Sequence, residues 1–157
     1  MDNNELLCSD CNIPKFSLNG LSCWGKIVYV YDGDTVHIVI NFNNSLTKFN
    51  CRLYGIDTKE MTSTNQSDKE SAIKARDFLL SKLTFNVSDK LNNTSTKRNI
   101  KDLCSESRKL VWVNCLEFDK YGRLLVDIKD TPSSDKTYSQ ELIDLGLGVA
   151  YYGGHKE

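Results

Sequence analysis

The sequence predicts a mainly β domain of the β+α class, a five-stranded barrel carrying two or three helices in the order βββ-α-ββ-α. Three observations lead there. Apolar runs recur three times between residues 25 and 55, with only tight turns between them. A stretch of helical periodicity follows. Two more apolar runs, KLVWVNCLEF and RLLVDIK, are then separated only by Asp119-Lys120-Tyr121-Gly122.

The first strand is expected over Gly25–Tyr31 and the second over Asp34–Phe42, where Val36, Ile38, Ile40 and Phe42 alternate with His37 and Asn41. Asn43-Asn44-Ser45 is a turn. The third strand, Leu46–Gly55, places Phe49, Cys51 and Leu53 on one face and Lys48, Asn50, Arg52 and Tyr54 on the other, giving a β-meander. A helix begins at Ser67, where Ser67-Asp68-Lys69-Glu70 fits a capping box, and Ala72, Ala75, Leu79 and Leu83 form its buried stripe. Residues 86–108 are polar and read as a long exposed loop. Strands four and five are expected over Lys109–Phe118 and Arg123–Lys129. A last helix covers Thr137–Leu145, with Tyr138, Leu142 and Leu145 inward and Gly146 as its stop. Five short, curved strands with a helix between the third and fourth suggest a barrel of the OB type.

The chain has 157 residues, enough for one domain: residues 1–24 form a partly ordered arm and residues 25–157 the barrel domain. A formal net charge of −1 excludes a protein that coats nucleic acid by bulk charge. The start, MDNNELLCSD, has neither the basic region nor the apolar run of a secretory signal, and no apolar stretch approaches the ~18–20 residues of a membrane span. The expectation is an intracellular, cytoplasmic protein with reduced thiols and no membrane partner. Cys8-Ser9-Asp10-Cys11 with Cys23 hints at zinc, but no second pair completes four ligands. Cys51 and Cys115, inside strands, read as small buried hydrophobes.

Tyr31-Asp32-Gly33-Asp34-Thr35 carries the chemistry. Asp32-Gly33 is explained by a hairpin turn, but a second carboxylate opening the next strand is not. A hairpin centred near Asn44–Ser45 sets Asp34 opposite the segment Tyr54–Asp57, so Asp34 and Asp57 converge, with Arg52 close by and Gly55 permitting a bend. A close carboxylate pair requires either a cation or a raised pKa. A hard divalent ion suits two carboxylates and the Thr58 carbonyl. Arg52 and Arg123 suit a phosphodiester whose charge rises in the transition state, and Glu60 is placed to accept a proton from water. Taken singly, each residue also has an ordinary reading: a turn for Asp32-Gly33, a solvated strand face for Arg52, surface for Glu60, and a cap on the DKYG turn for Arg123. Their joint spacing separates them from those readings.

YDGDT, CRLYGIDTKE, DKYGRLLVDI and ELIDLGLGVAYY, in that order between about residues 26 and 154, resemble the staphylococcal nuclease (thermonuclease) family. The resemblance implies an OB-fold barrel and calcium-dependent (Ca2+) cleavage of DNA and/or RNA to products ending in 3'-phosphate; a monomer is expected. It implies that Asp34, Asp57 and the Thr58 carbonyl ligate calcium, with Asp32 just behind them. Arg52 and Arg123 would hold the phosphate, and Glu60 would position or deprotonate the water. Lys120 and Tyr121 would contact a terminal phosphate, and Tyr151 would lie beside the base. Lys59 departs from the proline common in the family, and the segment 86–108 is longer than in the bacterial enzyme. Two rivals remain: a related module that binds nucleic acid or a protein without cleaving, and a plain single-strand binder, for which Lys90, Lys97, Arg98, Lys101, Arg108 and Lys109 are candidate contacts.

Overall fold

A computed structural model of the chain describes residues 3–83 and 96–153. Its architecture is mainly β with helices, built on a closed barrel of strands β1 (Ser22–Val30), β2 (Thr35–Phe42), β3 (Ser45–Leu53), β5 (Val111–Phe118) and β6 (Leu124–Lys129). Around the barrel the order is β1-β2-β3-β6-β5. The β3–β6 contact is parallel and the others are antiparallel. Short strands β4 (Gly55–Asp57) and β7 (Val149–Tyr151) pair with each other beside one barrel mouth. Four helices occur among the described residues: α1 (Asn3–Leu7), α2 (Gln66–Lys82), α3 (Lys97–Glu106) and α4 (Tyr138–Asp144). No described helix is long and apolar enough to cross a membrane.

Alternation builds the core. Ile27, Ile38, Ile40, Leu53, Leu124 and Ile128 project inward and are fully buried. Cys51 and Cys115 lie among them, and burial pushes their thiols up to about 12 and about 11, so both stay neutral and behave as small apolar groups. A bulge between Ile27 and Tyr29 adds the local twist that a small closed barrel needs.

Several sequence expectations shift. The β2–β3 turn centres on Asn43 and Asn44, both left-handed at φ 50° and 61°, as a two-residue primed turn requires. Thr35 therefore pairs with Arg52, and Asp34 faces Leu53 rather than Tyr54–Asp57: the Leu53 N–H donates to the Asp34 carbonyl at 2.8 Å. The expected third strand breaks at Tyr54, where Gly55 at φ 83° redirects the chain into β4. The helix cap is Asn65, whose side chain accepts from the Asp68 N–H, and not the Ser67 capping box. An asparagine one position before the helix satisfies the orphan donors that Ser67, inside the first turn, does not reach. Leu145 is 59% exposed because α4 ends at Asp144 and Leu145 is its C-cap.

The largest departure lies in the segment 86–108. Residues 86–95 fall outside the described residues, but Thr96 caps α3, which buries Ile100, Leu103 and Cys104. The segment reads as polar because these three apolar residues are diluted among lysines, asparagines and serines, although their spacing is helical. At the other end, Leu18 is buried and β1 starts at Ser22, ahead of the expected Gly25.

Candidate active site

The ends of β1, β2, β3 and β4 meet the β5–β6 turn around a cleft of about 750 Å³. Asp32, Asp34, Arg52, Asp57, Thr58, Glu60, Lys120, Tyr121, Arg123 and Tyr151 all line it, so every site residue expected from sequence opens onto the same space.

The YDGDT turn is held from within and from below. The Tyr31 and Asp32 N–H groups both donate to the Thr35 carbonyl, and the Asp34 N–H donates to Asp32 Oδ1 at 3.1 Å. The ordinary turn reading of Asp32-Gly33 is therefore also true. Gly33 allows the turn to settle on α2: a Cβ there would stand 2.5 Å from Ala75 Cβ and 2.8 Å from Thr58 Cγ2. The α2 stripe thus supports the site as well as filling the core.

Asp34 is buried. Its Oδ2 accepts from the Thr58 N–H at 3.0 Å and from Thr58 Oγ1 at 3.2 Å, and Oδ1 accepts from Thr35 Oγ1 at 3.0 Å. Arg52 Nη2 lies 3.7 Å from Asp34 Oδ2 and 3.2 Å from Asp57 Oδ1, so the two carboxylates flank one guanidinium nitrogen. The register places Asp34 one position away from the expected opposition, yet the two acids still converge, because the bend at Gly55 returns Asp57 and Thr58 to the start of β2. Arg52 is no solvated strand residue: its side chain is only 13% exposed, and Nη1 donates to the Leu53 and Ile56 carbonyls at 3.2 and 2.9 Å. These bonds fix the plane of the fork.

Asp32 sits behind this pair, also buried. Burial, and then the negative charge of Asp34, push its carboxyl up to about 7.

Arg123 approaches from the β5–β6 turn. Asp119 Oδ1 accepts from the Tyr121 and Arg123 N–H groups, and Arg123 Nε donates to Asp119 Oδ2 at 2.8 Å. Burial raises the Asp119 carboxyl, but those N–H donors and the guanidinium outweigh it and hold the group below the usual carboxylate range. Arg123 Cζ stands 5.4 Å from the Tyr121 ring centroid, and Lys120 Nζ stands 5.2 Å from the same ring. The Arg123 Nη atoms make no hydrogen bond with a described residue. Glu60 is exposed on the loop after β4. Tyr151, paired with Gly55, offers its ring to Arg52 Cζ at 5.7 Å.

Sequence reasoning did not single out Asp119, whose spacing four residues before Arg123 across a DKYG turn was the available signal. It also passed over the tyrosines Tyr31, Tyr54 and Tyr152, which line the same cleft. Tyr54 and Tyr152 stack edge to face at 5.5 Å, joining the bend at Gly55 to the strand end after β7.

For a hard cation, the chemistry of the donors fits: carboxylate oxygens of Asp34 and Asp57, the Thr58 carbonyl and no soft ligand. The set is sparse, for no group of three or more His, Cys, Asp or Glu side chains is arranged for a metal among the described residues. The site would therefore rely on backbone, water and substrate oxygens for the remaining positions. No model of a known protein family matches the chain, and a search of curated proteins finds no match.

Proposed function

We propose that the protein is a calcium-dependent phosphodiesterase that hydrolyses DNA and/or RNA to products ending in 3'-phosphate. One observation carries the reading: Asp34 and Asp57 flank the same Arg52 nitrogen, at 3.7 and 3.2 Å, on the floor of a cleft that also takes in Glu60 and Arg123. The motif resemblance to the staphylococcal nucleases supports it independently.

Asp34, Asp57 and the Thr58 carbonyl would hold the calcium, which when bound supplies positive charge to neutralise a phosphate oxygen. The other roles fall to the chain's own side chains. Arg52, its Nη1 held by the Leu53 and Ile56 carbonyls and its Nη2 on Asp57, would supply its positive charge to one side of the phosphate. Arg123, tied through Nε to Asp119, presents its Nη pair from the other. Two guanidinium groups held in advance stabilise the charge that builds on the phosphoryl oxygens without reorganising at the moment of reaction. Glu60 accepts the proton of the attacking water. The new oxygen–phosphorus bond forms as the bond to the 5'-oxygen breaks, and that oxygen leaves on the neighbouring nucleotide as a hydroxyl, taking a proton from water. Tyr121 and Tyr151 offer apolar faces beside the two arginines.

The test is digestion of end-labelled single-stranded DNA and RNA with calcium and with excess chelator, the product ends being identified. Cleavage that stops on chelation and leaves 3'-phosphates is expected. Cleavage indifferent to chelation overturns the metal assignment. Binding without cleavage replaces the enzyme with the binding-module reading.

A further inference from the structure

Four described lysines stand beside carboxylates, and others, Lys15, Lys69, Lys74 and Lys120 among them, are exposed without one among the described residues. Lys59, Lys82, Lys109 and Lys136 each stand within 4 Å of a carboxylate. Lys48, Lys97 and Lys101 are exposed and have no such partner among the described residues, in a chain with 21 acidic side chains. These three gather on one surface.

Lys97 and Lys101 are four apart on α3, so they share one face of the helix while Ile100, Leu103 and Cys104 anchor it to the barrel. Their ammonium groups lie 5.6 and 5.9 Å from the centroid of Tyr29 on β1. Tyr29 packs on His37 of β2 with centroids 5.2 Å apart, and the two residues are paired in the ladder. Lys48 is two residues along β3 from Asn50, the partner of His37. Burial first, then Lys48, Lys97 and Lys101, hold the His37 imidazole below its ordinary range, so all three cations bear on the same spot. A positive field from three exposed lysines therefore centres on His37.

This surface is continuous with the cleft. Thr35, two residues before His37, and Arg52, two residues after Asn50, are paired at its edge on the same outer face of the barrel. From Arg52 to Lys48 the path along β3 is about 14 Å at the usual rise per residue. Tyr31, 49% exposed and lining the cleft, leads to Tyr29 along β1 in the same direction.

We infer that the outer face of β1–β2–β3, together with the lysine face of α3, is a second binding surface. It would carry a single-stranded nucleic acid away from the cleft, with Lys48, Lys97 and Lys101 on its phosphates. The inference rests on the proposed nuclease reading for its direction. A strand whose scissile phosphate lies between Arg52 and Arg123 leaves the cleft beside Thr35 and meets this field next. A polyanion is the occupant whose charge complements it, and the cation–aromatic contacts hold two of the ammonium groups in place beforehand. The α3 segment then extends the substrate site.

The test measures binding in excess chelator, so that nothing is cleaved. A labelled trinucleotide and a labelled strand of about twelve nucleotides, within the usual span of an OB barrel, are titrated with wild type and with the triple variant Lys48→Gln, Lys97→Gln, Lys101→Gln. The variant is expected to lose affinity for the long strand by about tenfold or more, and its log–log salt dependence to become shallower by roughly 2, at about 0.7 per phosphate contact. Trinucleotide binding stays unchanged, and Lys→Arg replacements at the same positions restore the long-strand affinity. Equal long-strand binding by wild type and variant overturns the inference, as does equal loss for the trinucleotide. A lysine-dependent affinity for polyglutamate matching that for the strand also overturns it, in favour of an acidic protein partner. Lysine-dependent strand binding by a wild type that cleaves nothing when calcium is added upholds the surface and removes the nuclease reading instead.

Discussion

Glu60 is the residue on which the proposed chemistry turns, and its side chain makes no hydrogen bond or ion pair with a described residue. It is exposed on the loop after β4, and the one hydrogen bond found there is made by its carbonyl, which accepts from the Ser63 N–H. Glu60→Gln keeps the size and polarity of the side chain but removes the proton acceptor. Turnover is expected to fall by about 10²–10⁴-fold with the thermal midpoint and oligonucleotide affinity nearly unchanged, read by single-turnover cleavage beside fluorescence binding. A variant with wild-type turnover ends the general-base role. Arg52 behaves in the opposite way, since its guanidinium joins β3 to β4 through the Ile56 carbonyl and Asp57, so replacing it disturbs the site and the fold together. This contrast was only half legible in the sequence. The residue types and their grouping were readable, because paired acids, two arginines and an isolated glutamate are unusual in joint spacing. The partners that fix them were not: Thr58 as a donor to Asp34, or Asp119 holding Arg123, depends on chain bends that periodicity does not encode.

The elements that position the site are joined by contacts with little slack. The YDGDT turn touches α2 where Gly33 meets Ala75, two of the smallest residues, back to back. Gly33→Ala forces a methyl into 2.5 Å of Ala75 Cβ and 2.8 Å of Thr58 Cγ2, so the turn or the helix must move. A loss of about 1–3 kcal/mol in urea unfolding is expected, with activity falling because Asp34 shifts relative to Thr58. Adding Ala75→Gly opens space on the helix side at a cost of about 1 kcal/mol in helix propensity. The double variant should nonetheless be less destabilised than the sum of the single changes, and strict additivity would show that the two residues do not bear on each other. At this scale the strands were legible because half-buried strands must alternate, and the β2–β3 turn because two asparagines tolerate positive φ. Register was less so: a shift of the turn centre by one residue moves every pair, and only the left-handed Asn43 and Asn44 settle it. Helix α3 escaped because its three buried residues sit in a segment whose composition is that of a loop.

Across the whole molecule, a formal net charge of −1 conceals a strong division. Asp32, Asp34 and Asp57 crowd the floor of the cleft with Arg52 between the last two, Arg123 and Lys120 also line it, and Lys48, Lys97 and Lys101 lie beyond on the outer face. Folding gathers the acids, whereas the unfolded chain spreads them, so the folded form alone offers a cation several oxygens at once. Any ligand that binds only the folded state stabilises it by mass action, by about 2.7 kcal/mol when its concentration is a hundred times its dissociation constant. For a domain of this size that corresponds to a rise in Tm of roughly 5–10 °C. Calcium added to chelator-treated protein should therefore raise the thermal midpoint progressively, with no substrate present and no turnover to measure. Asp34→Asn and Asp57→Asn should each remove most of that rise, judged against each variant's own midpoint in chelator, because Asp34 also accepts from Thr58 and its loss lowers the baseline. Lys97→Gln, outside the cleft, should leave the rise intact. A midpoint that ignores calcium through the millimolar range would mean that the two carboxylates serve only to hold Arg52, and the metal-dependent chemistry would fall with them.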